Sequence, residues 1–238
     1  MKLDILAFGA HPDDVELSAS GTLINHIKMG YKCGIVDLTN GELGTRGTAE
    51  TRKEEAEASS KIIGIIAREN LNLADGFFTN DGDHRLEVVK MIRKYQPSIV
   101  LCNAISDRHP DHGRGASLVS DAIFLSGLVK VVTQIGGVDQ LPWRPQAVYH
   151  YIQDRFIKPD FVVDVSDVWE QRMESVKAFK TQFYQADSTE PDTAISSKEF
   201  LDFLKGRAME YGRPAGFQFA EGFTVERYPG INDLTLLK

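Results

Sequence analysis

The chain has 238 residues, 42% of them hydrophobic and 26% charged, which is enough to build one sizeable core and excludes a low-complexity or disordered polymer. A formal net charge of −7 argues against nucleic acid or an anionic membrane as the main partner, because both select a basic face. No apolar run approaches the ~20 residues of a membrane span, and the sequence opens on a strand rather than a basic segment with a cleavage site, so a soluble cytoplasmic protein is expected.

The first expected strand is the apolar run Leu3 to Phe8, broken only by Asp4. Leu17, Leu23, Ile24 and Ile27 follow at near-helical spacing, with Gly30 at the expected C-cap. Cys33 to Leu38 reads as the second strand, followed by a glycine-rich turn from Gly41 to Gly47 and a charged helix from about Ala49 to Ile63. A third strand fits Asn70 to Leu73, and a helix carrying Leu86, Val88, Val89 and Ile92 ends before Pro97. Ser98 to Cys102 is the fourth strand and runs into Asp107-Arg108-His109-Pro110-Asp111-His112-Gly113, after which Ala116, Val119 and Ile123 mark one helix face.

The second half has expected strands at Ala147 to Tyr151 and Phe161 to Val165. A helical stripe of Trp169, Met173, Val176, Phe179 and Phe183, read as core, and a polar loop from Asp187 to Thr193 come next. Ser196 with Glu199 forms a capping-box pattern before a helix bearing Phe200, Leu204, Ala208 and Tyr211, and a last strand fits Phe223 to Glu226. The alternation predicts an α/β, Rossmann-like, mostly parallel sheet with helices on both faces, as a single domain over residues 1–238. If strand order reverses beside the first strand, strands one and four become neighbours and their C-terminal loops face each other. Cys33 and Cys102 lie in expected buried strands without a CxxC partner and read as reduced core thiols.

Those two loops carry the chemistry. His11 and Asp14 are three apart across a turn into a helix, and His109 and His112 repeat the spacing, with Pro12 and Pro110 restricting the backbone after each leading histidine. A cation such as Zn²⁺ takes imidazole and carboxylate ligands, and a hydrolytic site keeps three protein ligands plus a water. The two loops supply enough ligands, although spacing alone does not choose between His109 and His112. Asp13 is placed to stay off the metal, since neighbours at a turn point in different directions, and to take a proton from the bound water, whose pKa falls towards ~7.

One His-Pro-Asp turn is ordinarily only a turn whose aspartate caps a helix; two of them, at the ends of strands one and four, point to a site. His26, His84 and His150 lack partners at ligand spacing and read as surface or strand residues. The turn from Gly41 to Gly47 is not a G-x-x-x-x-G-K-S/T loop and reads as a plain loop. Arg46 and Arg52 follow the second strand, on the side of the expected metal, and arginine suits planar recognition of a carboxylate. For Arg52 a solvated helix face beside Glu54 and Glu55 fits equally well.

The segment Ala10-His11-Pro12-Asp13-Asp14-Val15-Glu16, together with His109-Pro110-Asp111-His112, resembles the paired signatures of the LmbE-like, or PIG-L, zinc-dependent N-acetylglucosamine deacetylases, and the resemblance runs through most of the chain. Within that family, Gly41-Glu42-Leu43-Gly44-Thr45-Arg46-Gly47-Thr48, Tyr149-His150-Tyr151 with Lys158-Pro159-Asp160-Phe161, and Ala220-Glu221-Gly222-Phe223 resemble the bacillithiol-biosynthesis deacetylases, which remove acetate from N-acetylglucosaminyl-malate. The resemblance implies zinc held by His11, Asp14 and His112, with Asp13 as general base. It also implies His109, with Asp111 oriented towards it, as the group that stabilises the oxyanion or protonates the leaving amine. Arg52 and Arg144 match family positions and would contact the substrate's anionic part.

The implied reaction is attack of zinc-bound water on the acetamide carbonyl and loss of acetate. The implied partners are a small sugar conjugate with an anionic aglycone and further copies of the chain in a homo-oligomer. One departure is that a tyrosine hydroxyl offered by some members falls here on Phe200, which has none. Deacetylation of another N-acetylglucosamine-containing molecule is the nearest alternative. An Fe(II) oxygenase would use the same two-histidine, one-carboxylate set, but the βα alternation and the second aspartate disfavour it. A nucleotide-binding module is disfavoured because the first βα turn lacks G-x-G-x-x-G and is acidic where pyrophosphate would approach.

Overall fold

The computed structural model describes residues 1–186 and 188–236, so that Asp187, the first residue of the expected polar loop, lies outside the described residues. The first strand, β1 (Ile5–Gly9), is buried at every position because its alternate side chains enter two different cores. Ile5 and Ala7 join one core and Leu6 and Phe8 the other. The run into the site is α1 (Asp14–Ser18) and α2 (Ser20–Lys28), then β2 (Cys33–Thr39), α3 (Ala49–Ile63), β3 (Ala67–Leu73), α4 (Gly82–Tyr95), β4 (Ile99–Cys102) and α5 (Pro110–Ser126). A small ribbon follows, β5 (Gln134–Ile135) and β6 (Val138–Asp139), and then β7 (Ala147–Tyr151), β8 (Phe161–Asp164), α6 (Trp169–Lys177), α7 (Lys198–Ala215) and β9 (Ala220–Val225).

Seven strands form one sheet in the order β3-β2-β1-β4-β7-β9-β8. The first five in that order pair in parallel, while β9 runs antiparallel to both β7 and β8. Order reverses beside β1, so β1 and β4 are direct neighbours, with Ile5 opposite Ile99 and Ala7 opposite Leu101. One face is covered by α2, α3, α6 and α7 through Leu23, Ile63, Val176 and Leu204, and the other by α4 and α5 through Val88, Ile92, Leu118 and Val119. Cys33 and Cys102 are free and buried. Among the described residues, no helix is long and apolar enough to cross a membrane.

Three local expectations are corrected. The helix expected after the first loop is two helices, broken at Ala19, whose φ is −143°. The break exposes the backbone N–H groups of Gly21 and Thr22, which donate to Glu221 of β9 at 2.9 and 2.7 Å, a long-range acceptor that the local sequence does not reveal. The aromatic stripe continues into the core through Phe179 and Phe183, but α6 itself stops at Lys177. Finally, α7 is capped by Ser197, whose Oγ accepts from Phe200 N at 3.2 Å, because the Ser196 hydroxyl already accepts from Thr193 N. The β5–β6 ribbon, absent from the sequence reading, turns on Gly136 and Gly137, both at positive φ as a two-residue hairpin requires.

Candidate active site

The loops after parallel strands gather at one end of the sheet, and this is where the two His/Asp segments meet. After β1 the chain turns through Asp13, held at φ 123°, a conformation rare for a non-glycine residue and maintained only where the surroundings over-determine it. Asp14 then opens α1, and its Oδ2 accepts from His11 N at 2.9 Å. After β4, Pro110 stands at the start of α5 with His109 as N-cap, and His109 Nδ1 accepts from Asp111 N at 3.3 Å. Because β1 and β4 are adjacent, the rings converge: the centroids of His11 and His109 lie 4.6 Å apart and those of His109 and His112 5.2 Å apart. One ring nitrogen from each of His11, His109 and His112 lies within 4.8 Å of the others.

Asp14 separates the two histidines that flank it. Its Oδ1 lies 3.1 Å from His112 Nε2 and its Oδ2 3.6 Å from His11 Nδ1. The opposite nitrogens are held by carboxylates, His112 Nδ1 by Asp107 at 2.5 Å, and His11 Nε2 by Asp75 at 3.0 Å and Asp111 at 3.3 Å. A carboxylate can only accept, so the outer nitrogens carry protons, and the inner nitrogens of both rings are the ones turned to Asp14. This is the way carboxylates orient metal-ligating imidazoles. Asp14 has no arginine or lysine partner among the described residues, although it is fully buried; it is met only by His11, His112, Asn103 Nδ2 at 2.9 Å and Gln153 Nε2 at 3.0 Å. Two imidazoles and a buried carboxylate without a fixed cation fit a divalent metal ion.

The titration behaviour has the same cause. Burial would lower the His11 pKa, but Asp111, Asp14 and Asp75 hold it well above the ordinary imidazole value. Burial is likewise outweighed at His112, which Asp14 and Asp107 raise to about 9. In both cases protons neutralise the field that a cation would otherwise neutralise. Burial pushes the Asp13 carboxyl up to about 7, with the Arg52 guanidinium opposing the rise. His109 is shifted the other way from its neighbours, lowered by burial and by the positive charge of His11 and His112.

His11, Asp13, Asp14, Arg52, His109 and His112 all line one cavity of about 220 Å³. Arg52 is not free there: it donates to the carbonyls of Pro12 and Gly41 and reaches Asp13 Oδ2 at 3.0 Å, so it holds the Asp13 loop. Arg46 turns away, bonding the carbonyls of Pro191 and Glu190, and is not part of the cavity lining. Arg144 lies at the far end of α5, bonded to Phe124 O and stacked 4.9 Å over the Phe124 ring. The Asp111 carboxylate is directed to His11, Gly76 N and Arg114 rather than to His109, which it meets only through its backbone N–H. Its position one residue before His112 on α5 points the side chain across the site to the β1 loop.

Several lining residues escaped the sequence reading. Asp75, Arg108, Gln153 and Arg207 come from four separate parts of the chain, and only Arg108 adjoins a motif. Phe200, which has no hydroxyl to offer, lines the wall. Leu43 and Gly44, from the turn read as a plain loop, form its rim, and Leu43 N donates to Asp75 Oδ2 at 2.9 Å. His150 is buried on β7, with Nε2 2.9 Å from Glu226 Oε1 and Nδ1 3.3 Å from Cys102 Sγ.

The His/Asp cluster thus stands at the switch point between β1 and β4, where open α/β sheets bind their ligands. The family model described as PIG-L, GlcNAc-PI de-N-acetylase, matches residues 6–123, which span both loops. The chain is 30% identical over 239 residues to the diacetylchitobiose deacetylase of Thermococcus kodakarensis, covering 95% of this chain and 84% of that one. It belongs to the PIG-L/LmbE-like deacetylase family. A conserved protein of Thermus thermophilus superposes with a TM-score of 0.84 at 31% identity over 98% of both chains. The 4-carboxy-2-hydroxymuconate hydratase of Pseudomonas putida superposes with a TM-score of 0.80 at 21% identity, over 98% of this chain and 100% of that one, and so shares the fold. Function must therefore be argued from the site.

Proposed function

We propose that the chain, acting as one Rossmann-like domain over residues 1–238, is a zinc-dependent deacetylase of an N-acetylglucosamine conjugate, with N-acetylglucosaminyl-L-malate as its substrate. The observation that carries the reading is the convergence of His11 Nδ1, His112 Nε2 and the Asp14 carboxylate beside a second carboxylate, Asp13, that lies off that set. Homology to a diacetylchitobiose deacetylase supports an N-acetylated sugar as substrate class. The malate conjugate rests on the loop similarities to bacillithiol-biosynthesis deacetylases and on the guanidinium groups in the cavity.

His11, Asp14 and His112 would hold the zinc, which when bound polarises an acyl carbonyl and lowers the pKa of water. Asp13 takes the proton from the attacking water. Its Oδ2 is fixed by Arg52, leaving Oδ1 without a protein partner among the described residues, and a carboxyl lifted towards neutrality is a stronger base than an ordinary one. His109 is the hydrogen-bond donor: with Nδ1 accepting from Asp111 N, the neutral ring carries its proton on Nε2, available to the developing oxyanion or to the departing nitrogen. The proton held by Asp13 returns to the amine as the C–N bond breaks, giving acetate and the free amino sugar. Phe200 and Leu204 supply the apolar wall for the sugar ring.

The test is acetate release by metal-stripped protein, with and without added Zn²⁺, from N-acetylglucosaminyl-malate, free N-acetylglucosamine and diacetylchitobiose. Zinc-dependent release favouring the malate conjugate is expected. Equal turnover of all three would remove the malate assignment, and no release from any would remove the deacetylase reading.

A further inference from the structure

Three arginines line the cavity, and two are already committed. Arg52 is paired with Asp13 at 3.0 Å, and Arg108 with Asp154 at 2.6 Å. Arg207 is not. Its hydrogen bond is to the carbonyl of Leu17 at 3.0 Å, its face covers the Phe203 ring at 5.4 Å, and among the described residues no carboxylate stands at ion-pairing distance. A guanidinium has five N–H donors, so most of its capacity is unused. Desolvation pulls its pKa down, with Tyr211 and the more distant carboxylates of Asp154, Asp107 and Glu221 opposing the shift.

The surroundings repeat the pattern. Phe200, Leu204 and Arg207 are spaced i, i+4, i+7 on α7 and all face the cavity, so the helix offers an apolar wall that ends in a cation. Beside it, next to the Leu17 carbonyl that Arg207 holds, Ser18 lines the same cavity; it is 3% exposed, and its Oγ has no hydrogen-bond partner among the described residues. A buried hydroxyl left unpaired costs free energy unless a ligand satisfies it. Arg52, the one of the sequence-read arginines that lines the cavity, is therefore already paired with a carboxylate, as is Arg108.

We propose that Arg207, with the Ser18 hydroxyl beside it, is the subsite for a carboxylate of the substrate's aglycone and sets the preference for an anionic conjugate over a neutral sugar. This rests on the deacetylase reading for its substrate but is separable from it by experiment. The ratio of kcat/KM for N-acetylglucosaminyl-malate to that for the uncharged methyl N-acetylglucosaminide should fall by about 10- to 100-fold in Arg207→Gln, the worth of one charge-assisted hydrogen bond. Arg207→Lys, which keeps the charge but not the fork, should recover part of the loss, and Ser18→Ala should lower the ratio by roughly 3- to 10-fold. Calorimetric binding of the malate conjugate to the zinc-loaded Asp13→Asn protein, with and without each change, gives the same comparison without turnover.

Turnover by the parent protein with an unchanged ratio and unchanged binding in the variants overturns the subsite and leaves the deacetylase. Binding that depends on Arg207 without acetate release overturns the deacetylase and keeps the subsite. Neither binding nor release by the parent protein overturns both. If Arg207→Gln does not fold, as judged by its thermal transition, Arg207→Lys and Ser18→Ala decide the matter by the same two readouts.

Discussion

Asp13 combines a backbone at φ 123° with a carboxyl raised to about 7 and an arginine clamp, three departures from the ordinary at one residue. Such strain persists where structure is spent on function. Asp13→Asn should retain zinc, because His11, Asp14 and His112 are untouched, and lose about 10²- to 10⁴-fold in kcat, the usual worth of a positioned general base. Metal content by atomic absorption beside single-turnover acetate release checks both halves. Gln153 is the second residue to change. Its Oε1 accepts from Asn103 Nδ2 at 3.0 Å and Ala104 N at 3.1 Å, which locks the amide so that Nε2 faces Asp14 Oδ1 and His112 Nε2. Gln153→Leu should weaken zinc binding by about 10- to 100-fold in a chelator competition, as loss of a ligand-orienting partner does. Neither Asn103 nor Gln153 is visible as a motif, because each meets Asp14 only across the strand order β1-β4-β7.

At the level of elements, the break between α1 and α2 shows how a local pattern can mislead. Apolar spacing from Leu17 to Ile27 suits one helix, but a carboxylate on the last strand rewards a second helix start at Ser20 by accepting from two of its unpaired N–H groups. Gly21 is the residue that tolerates this approach, since an added Cβ would stand 2.9 Å from Glu221 Oε1 and 2.8 Å from Val165 Cγ1. Glu221→Gln should destabilise the fold by about 1–3 kcal/mol, because one backbone donor then faces an amide NH₂ and Arg172, 3.6 Å from the carboxylate, loses its counter-charge. Urea denaturation with an unchanged m-value measures it. By contrast α3, over Ala49–Ile63, was legible in outline: Thr48 Oγ1 caps it by accepting from Thr51 N at 3.2 Å, and Gly64 closes it at φ 87°. Both ends of that helix are set by neighbours in the chain.

Across the whole molecule, His150 links the sheet interior to its surface. Burial would lower its pKa, but Cys102, the Glu226 carboxylate and the Asn103 carbonyl raise it to about 11. A folded-state pKa above the unfolded value near 6.5 means that the native state binds the extra proton. The contribution is therefore fully present below about pH 6.5 and is lost as pH rises through the folded-state value. Unfolding free energy of the parent protein relative to His150→Gln should accordingly fall steadily between pH 7 and pH 10, and a difference independent of pH would remove the ion pair from the account.

The sequence by itself determined the βα alternation and the two short segments whose turn chemistry places His11, Asp13, Asp14, His109 and His112 at strand ends. These rest on periodicity and on contacts three or four residues apart. Only the tertiary structure decided that Asp111 turns to His11, that Arg52 is held by Asp13 and two carbonyls while Arg46 and Arg144 lie elsewhere, and that Arg207 brings to the cavity a cation with no carboxylate at ion-pairing distance among the described residues. A side chain's partner in a buried site is chosen by which strands adjoin and which charges must be neutralised out of water, and neither is written in local spacing.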